Sequence, residues 1–192
     1  MKKFLILMFA AGMFSACTHN PGSSTDQKGT TDSSPEIDEN RMVIATDMEN
    51  AASLPSYWRN GFSIYKMDEI PAHSGNYVSR VNDEHGYSLT FRETFENLNA
   101  KLPRRVVVNG WYYFTEPNEK AGFIMEINDN GSSYIWKAYN FDAVNPATNQ
   151  WNEFTAYFTI DKPIKPEQEI NLFATGAKKL TYFDDFKFIF EY

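Results

Sequence analysis

Two runs of aromatic side chains carry the chemistry most open to this chain. Asn109-Gly110-Trp111-Tyr112-Tyr113 is the densest, and Tyr134-Ile135-Trp136-Lys137-Ala138-Tyr139 is next. A sugar ring has an apolar C–H face that stacks on an aromatic ring, while polar neighbours bond its hydroxyls; such rings bring large area at low entropy cost. Read as a strand, Val106, Val108, Tyr112 and Phe114 share one face, and Arg105, Val107, Asn109, Trp111 and Tyr113 share the other. Arginine and asparagine make the second face the wetter one, so Trp111 and Tyr113 are expected near solvent. Tyr134 and Trp136 share a face opposite Ile135 and Tyr139, and either face could be core. Tyr157 falls on the polar side of its own strand. The candidate ligand-binding residues are therefore Trp111, Tyr113, Trp136 and Tyr157, with Trp58 and Trp151 expected as core or edge aromatics.

Groups for catalysis are poorly arranged. The sequence has no G-x-S-x-G elbow, no H-E-x-x-H pair and no phosphate-cradling glycine loop. Glycoside hydrolysis needs two carboxylates about 5–10 Å apart, and Glu93/Glu96 and Glu126/Asp129 meet that loose test. In an acidic chain such pairs are usually a solvated face. His73 fits a turn, and His85 sits in the loop Asp83-Glu84-His85-Gly86. His19, His73 and His85 are too scattered for a zinc site. The chain is expected not to be an enzyme and to hold no organic cofactor.

The start of the chain addresses its location. Lys2 and Lys3 precede an apolar run from Phe4 to Phe14, followed by Ser15, Ala16 and Cys17. This layout resembles a bacterial lipoprotein signal, with a small-residue cleavage site ending in cysteine. The resemblance implies that residues 1–16 are removed and that Cys17 is lipidated. The apolar run is short of the roughly 20 residues that span a bilayer core of about 30 Å, so the acyl chains would be the anchor. A cell-envelope location follows, anchored to a bacterial membrane, with the outer membrane expected. Thr18-His19-Asn20 lacks the acidic cluster that looks like a surface-export tag in some gut bacteria, which favours inward-facing attachment while leaving the side open.

Composition narrows the partners. Loss of Lys2 and Lys3 with the leader leaves 16 basic residues against 25 acidic, a net charge of −9. Nucleic acid, which needs clustered basic residues, is excluded as a partner. Cys17 is the only cysteine, so no disulfide forms within the chain and an apolar core must hold it. Residues 18–41 contain no aromatic residue and one aliphatic, Ile37. Residues 17–41 therefore read as a lipidated flexible tether, its 24 residues after Cys17 reaching about 25–30 Å.

Residues 42–192 read as one domain, with 28 Phe, Tyr and Trp among 151 positions, a composition suited to pleated sheets. Alternation with period two recurs. Phe154, Ala156, Phe158 and Ile160 oppose Glu153, Thr155, Tyr157 and Thr159, and Phe186, Phe188 and Phe190 share a face near the C-terminus. Further strands are predicted at Met42–Met48, Phe62–Met67, Asn76–Val81, Tyr87–Phe95, Arg105–Phe114, Gly122–Ile127, Tyr134–Asn140 and Glu169–Ala174, separated by turn signals such as Asn130-Gly131. Only Glu93–Leu102 has helix-like spacing. About ten strands without a long helix predict an all-β, antiparallel two-sheet sandwich, a jelly roll, with an up-and-down barrel as the alternative.

Three segments, in this order, resemble landmarks of jelly-roll carbohydrate-binding modules of the galactose-binding-like type: Ala45–Trp58, Ala72–Val81 and Tyr182–Phe188, with Trp151-Asn152-Glu153-Phe154 a weaker fourth. The resemblance implies a fold more than an activity. It also implies a structural calcium ion where the first strand, the Ser74-Gly75 turn and the last strand meet, with Glu49 and Asp185 as ligands and Asp47 and Asp184 as nearby substitutes. Calcium takes six to eight oxygens. The competing reading has Asp184 capping backbone donors in a turn and Asp185 solvated. Parity along the last strand puts Asp184 with the inward phenylalanines and Asp185 outside. The expected function is non-catalytic binding of a polysaccharide or oligosaccharide. The alternative is a structural or accessory role that holds an envelope protein partner through exposed strand edges.

Overall fold

Alternating side chains in this sequence have two places to go, a shared interior and two outer faces. The computed structural model describes residues 36–176 and 178–192. The leader, Cys17 and most of the tether lie outside the described residues. Twelve strands are present there: β1 Glu36–Ile37, β2 Arg41–Thr46, β3 Trp58–Arg59, β4 Ile64–Lys66, β5 Tyr77–Val81 and β6 Thr90–Thr94, then β7 Arg105–Phe114, β8 Gly122–Asp129, β9 Ser132–Asn140, β10 Trp151–Thr159, β11 Glu169–Thr175 and β12 Thr181–Glu191. The helix-like spacing after β6 gives one α-helical turn, Phe95–Leu98. Among the described residues no helix is long and apolar enough to cross a membrane.

The strands form two antiparallel sheets. Sheet A runs β10–β7–β12, and β12 meets two neighbours on its far side: β5 beside residues 181–183, then β2 beside residues 186–191. β4 extends the β5 side and β1 the β2 side, so pairing begins within the segment read as tether. Sheet B has the order β3–β6–β11–β8–β9. The chain passes between sheets at nearly every long connection, the wrap of the predicted jelly roll. The two sheets are not closed into a barrel.

Phenylalanine fills the space between them. Phe123 on β8 packs against Phe154, Phe158, Phe186 and Phe188 of sheet A, with ring centroids 5.5–6.4 Å apart. Phe91 on β6 lies 5.8 Å from both Phe188 and Phe190. Each fully buried ring contributes about 1.5–3 kcal/mol from area removed from water, and with no disulfide available these contacts hold the fold.

One irregularity shapes everything above the sheet. β12 and β7 pair in register from Thr181↔Phe114 to Asp184↔Trp111, shift, and resume at Lys187↔Asn109. The extra residue is a β-bulge, and Asp185 takes the left-handed conformation there, at φ 51°. The bulge reverses the parity. Phe183 and Phe186, three apart, both enter the core with centroids 6.1 Å apart. Asp184, paired with Trp111, belongs to the outer face, which corrects the inward placement that simple alternation gives it. Gly110 stands opposite the bulge because a Cβ there would lie 2.9 Å from both Phe154 and Phe186.

Candidate functional site

The outer face of sheet A is largely occupied by its own chain. Residues 67–76 leave β4 and cross this face before entering β5. Met67, Ile70 and Ala72 pack on Val78, Tyr113 and Tyr182, with Trp151 and Leu180 completing a small second core. The Trp151 indole N–H donates to the Pro71 carbonyl at 3.0 Å. His73 stacks on Trp111 with centroids 3.8 Å apart and planes 15° from parallel. Tyr113 is 7% exposed, under Trp151 and Tyr182. The wet surface expected for Trp111 and Tyr113 is thus a protein–protein contact within one chain: the polar neighbours that suggested water lie lower on β7, below the loop.

The end of this loop meets the bulge. Asp184 is fully buried and accepts hydrogen bonds from the Ser74 N–H at 3.0 Å and the Asp185 N–H at 2.8 Å. Asp185 accepts from the Ser74 hydroxyl at 2.7 Å, and its other oxygen lies 2.6 Å from His73 Nδ1. Glu49, beyond the end of β2, accepts the N–H groups of Asn76 and Tyr77, both at 2.7 Å. Its carboxylate fills the space a side chain at Gly75 would take, and Gly75 itself sits at φ 55°. Burial pushes the Asp184 carboxyl up to about 8, and the charges of Asp185 and Glu49 add to the rise against the two backbone donors. The three landmarks named in the sequence therefore converge at one corner. Asp184 takes the backbone-capping role, while Asp185 is tied to the loop as well as partly solvated.

Could this corner hold a hard cation? Its charge balance fits one. The Asp184 and Asp185 carboxylates adjoin, Glu49 acts on Asp184 through its charge, and among the described residues no lysine or arginine pairs with any of the three; the one basic partner is His73. Ligand atoms of His73, Asp184 and Asp185 lie within 4.8 Å of one another, a group that does not include Glu49.

The outer face of sheet B has no such roof. Strand register aligns its side chains in transverse rows, because directly paired residues project to the same side. One row runs Arg92 (β6), Asn171 (β11), Glu126 (β8), Trp136 (β9). The row on one side holds Phe173, Ile124 and Ala138; the row on the other holds Thr94, Glu169 and Asn128. Arg92, Asn171, Glu126, Phe173 and Asn128 from these rows, with Asn60, Tyr87 and Thr90, line a groove of about 300 Å³, and Trp136 stands beyond its end. Tyr87 is 56% exposed and meets Phe173 edge to face at 5.2 Å. Trp136, at the opposite edge, is 59% exposed. Arg92 Nε donates to Glu169 at 2.7 Å, and that bond holds the guanidinium above its ordinary pKa. The polar floor offers donors at Arg92, acceptors at Glu126 and both at Asn171.

Of the four ligand candidates, only Trp136 belongs to this face. Tyr157 is 66% exposed, but it stands on β10 in sheet A, with the Arg105 guanidinium 5.9 Å from its ring. Trp111 and Tyr113 lie under the loop. The four do not form one surface. Arg92, Asn171 and Tyr87 are not among the residues that the sequence marks as candidates, and Glu126 stands out there only as half of an acid pair with Asp129. Asp129 is in fact held at the end of β8, bonded by Gln168 at 3.1 Å. The available signal is a single polar residue inside the apolar runs of β8 and β11, Glu126 and Asn171; β6, with Thr90, Glu93 and Thr94 beside Arg92, gives none.

No family model matches the chain, and no curated protein matches it. Solved structures do resemble it. The CBM22-2 xylan-binding domain from Paenibacillus barcinonensis Xyn10C is 14% identical with a TM-score of 0.49, over 78% of this chain and 99% of that one. A xylan-binding domain from CBM 22 is 12% identical with a TM-score of 0.47, over 81% and 97%. TmCBM61 in complex with β-1,4-galactotriose is 16% identical with a TM-score of 0.39, over 71% and 90%. At these values the likeness decides nothing about what this chain binds.

Proposed function

We propose that this chain is a non-catalytic glycan-binding protein of the cell envelope and that the outer face of sheet B is its binding surface. The observation that carries this reading is the row Arg92–Asn171–Glu126 along a groove, with Tyr87 and Phe173 beside it and exposed Trp136 continuing the row past its end. Hydroxyls along a sugar chain need donors and acceptors in alternation, and the apolar ring faces need aromatic platforms. Three strand spacings separate Arg92 from Trp136, about 14 Å, enough for more than one sugar ring. Native gels containing soluble polysaccharides test it: at least one polymer retards the wild type, and Trp136→Ala or Tyr87→Ala releases it. If no polymer retards the wild type, the reading fails, and capture of an envelope protein partner becomes the alternative to pursue.

Two further parts of the reading rest on other residues. Acyl chains on Cys17 would hold the domain at a bacterial membrane through the tether; incorporation of labelled palmitate, lost in Cys17→Ser, tests this. A calcium ion held by Asp184 and Asp185, with Glu49 as a ligand only if its side chain turns toward them, would neutralise the carboxylates at the loop corner and fasten residues 73–76 to the bulge. Elemental analysis of the purified protein before and after chelation tests that occupancy.

A further inference from the structure

We propose that the sheet B groove sorts glycans by charge, accepting uncharged chains and rejecting uronates, with Glu126 setting the preference; this deepens the glycan-binding reading and rests on it. Arg92 is the one basic side chain among those lining the groove, and it is already engaged by Glu169. Among the described residues no hydrogen bond or ion pair engages the Glu126 carboxylate, which reaches Arg92 only through its field. The floor therefore carries two carboxylates against one guanidinium, in a chain whose net charge is −7.

Position matters as much as count. Glu126 is the direct cross-strand neighbour of Trp136, so a ring stacked on the indole sets its substituents over this carboxylate. A hydroxyl there donates a hydrogen bond to a charged acceptor, a strong interaction. A uronate carboxylate there meets a like charge at close range with no free cation beside it. Salt would soften that repulsion without affecting the neutral ligand.

Two comparisons make the test: hydroxyethyl cellulose against carboxymethyl cellulose, which share one backbone and differ in a carboxylate-bearing substituent, and neutral galactan against polygalacturonate, which brings a true uronate on a different linkage. The wild type is expected to bind at least one neutral member about tenfold more tightly than its anionic counterpart, and Glu126→Lys is expected to erase that ratio. Glu126→Gln, which keeps the shape, should narrow it in the same direction and serves if the lysine variant misfolds. Equal or tighter Trp136-dependent binding of the anionic member, or a ratio unmoved by both Glu126 variants, overturns the charge rule and leaves the site standing. Binding of no polymer, or binding indifferent to Trp136→Ala, overturns the site and the rule together.

Discussion

On sheet A, the rings of Tyr113, Tyr182 and Trp111 lie beneath residues 67–76, while on sheet B Tyr87 and Trp136 stand more than half exposed. Both outer faces are rich in aromatic side chains. What separates them is the connection between β4 and β5, long enough to fold back over one sheet, and the bulge in β12 that gives it a foothold. An aromatic ring on an outer face is therefore not a binding residue until the loops above it are known. On sheet A the rings serve as the floor of a second core; on sheet B nothing among the described residues covers them.

The largest effect expected from testing this contrast comes from the bulge. Gly110→Val would force a methyl group into Phe154 and Phe186 and should cost about 3 kcal/mol of stability in urea unfolding. Next comes a reciprocal pair. Trp111→Ala should lower stability by about 2 kcal/mol, through loss of the His73 stack and the cavity beneath the loop, and leave glycan affinity unchanged. Trp136→Ala should do the reverse, weakening binding about tenfold while changing stability by no more than about 0.5 kcal/mol. If both variants lose both properties, the division between a structural and a binding face is wrong.

A pH series sharpens the same comparison at the loop corner. The ordinary carboxyl value is 3.8 and that of buried Asp184 is about 8. Below 3.8 both the folded and the unfolded chain hold the proton. Between 3.8 and 8 only the folded chain holds it, so unfolding releases a proton and stability falls as pH rises; above 8 the decline stops. The metal-free protein should show this slope in thermal melts, and Asp184→Asn should flatten it. Added calcium should also flatten it if the corner takes the ion, because Asp184 would then no longer carry an unneutralised charge. The smallest effect should come from Tyr157→Ala, which on an open part of sheet A should move stability by less than about 0.5 kcal/mol and glycan affinity not at all.

The strands were readable because their cause is local. Phe154, Ala156 and Phe158 alternate with polar residues, and a buried face requires that pattern. The parity of Asp184 was not readable, since a bulge is set by what stands opposite, here Gly110, 74 residues earlier in the chain. The binding row failed for a related reason. Arg92, Glu126, Trp136 and Asn171 come from four strands, and only the register between those strands puts them in line. Trp136 was recognisable as an aromatic whose face was undecided; its polar neighbours were single residues in unremarkable strands. The convergence near Ser74 followed from the resemblance of three segments to carbohydrate-binding-module landmarks, and no local signal in those segments states it.

The last strand also governs when the molecule becomes whole. β12 lies between β7 on one side and β5 and β2 on the other, so sheet A has no continuous middle until residues 181–191 arrive. A polypeptide emerging from its N-terminus holds three separate fragments of that layer and nothing to join them. Closure must wait until residues 181–191 have been made, and until then the outer strands of that layer cannot be joined. A truncation before Thr181 would leave them apart permanently.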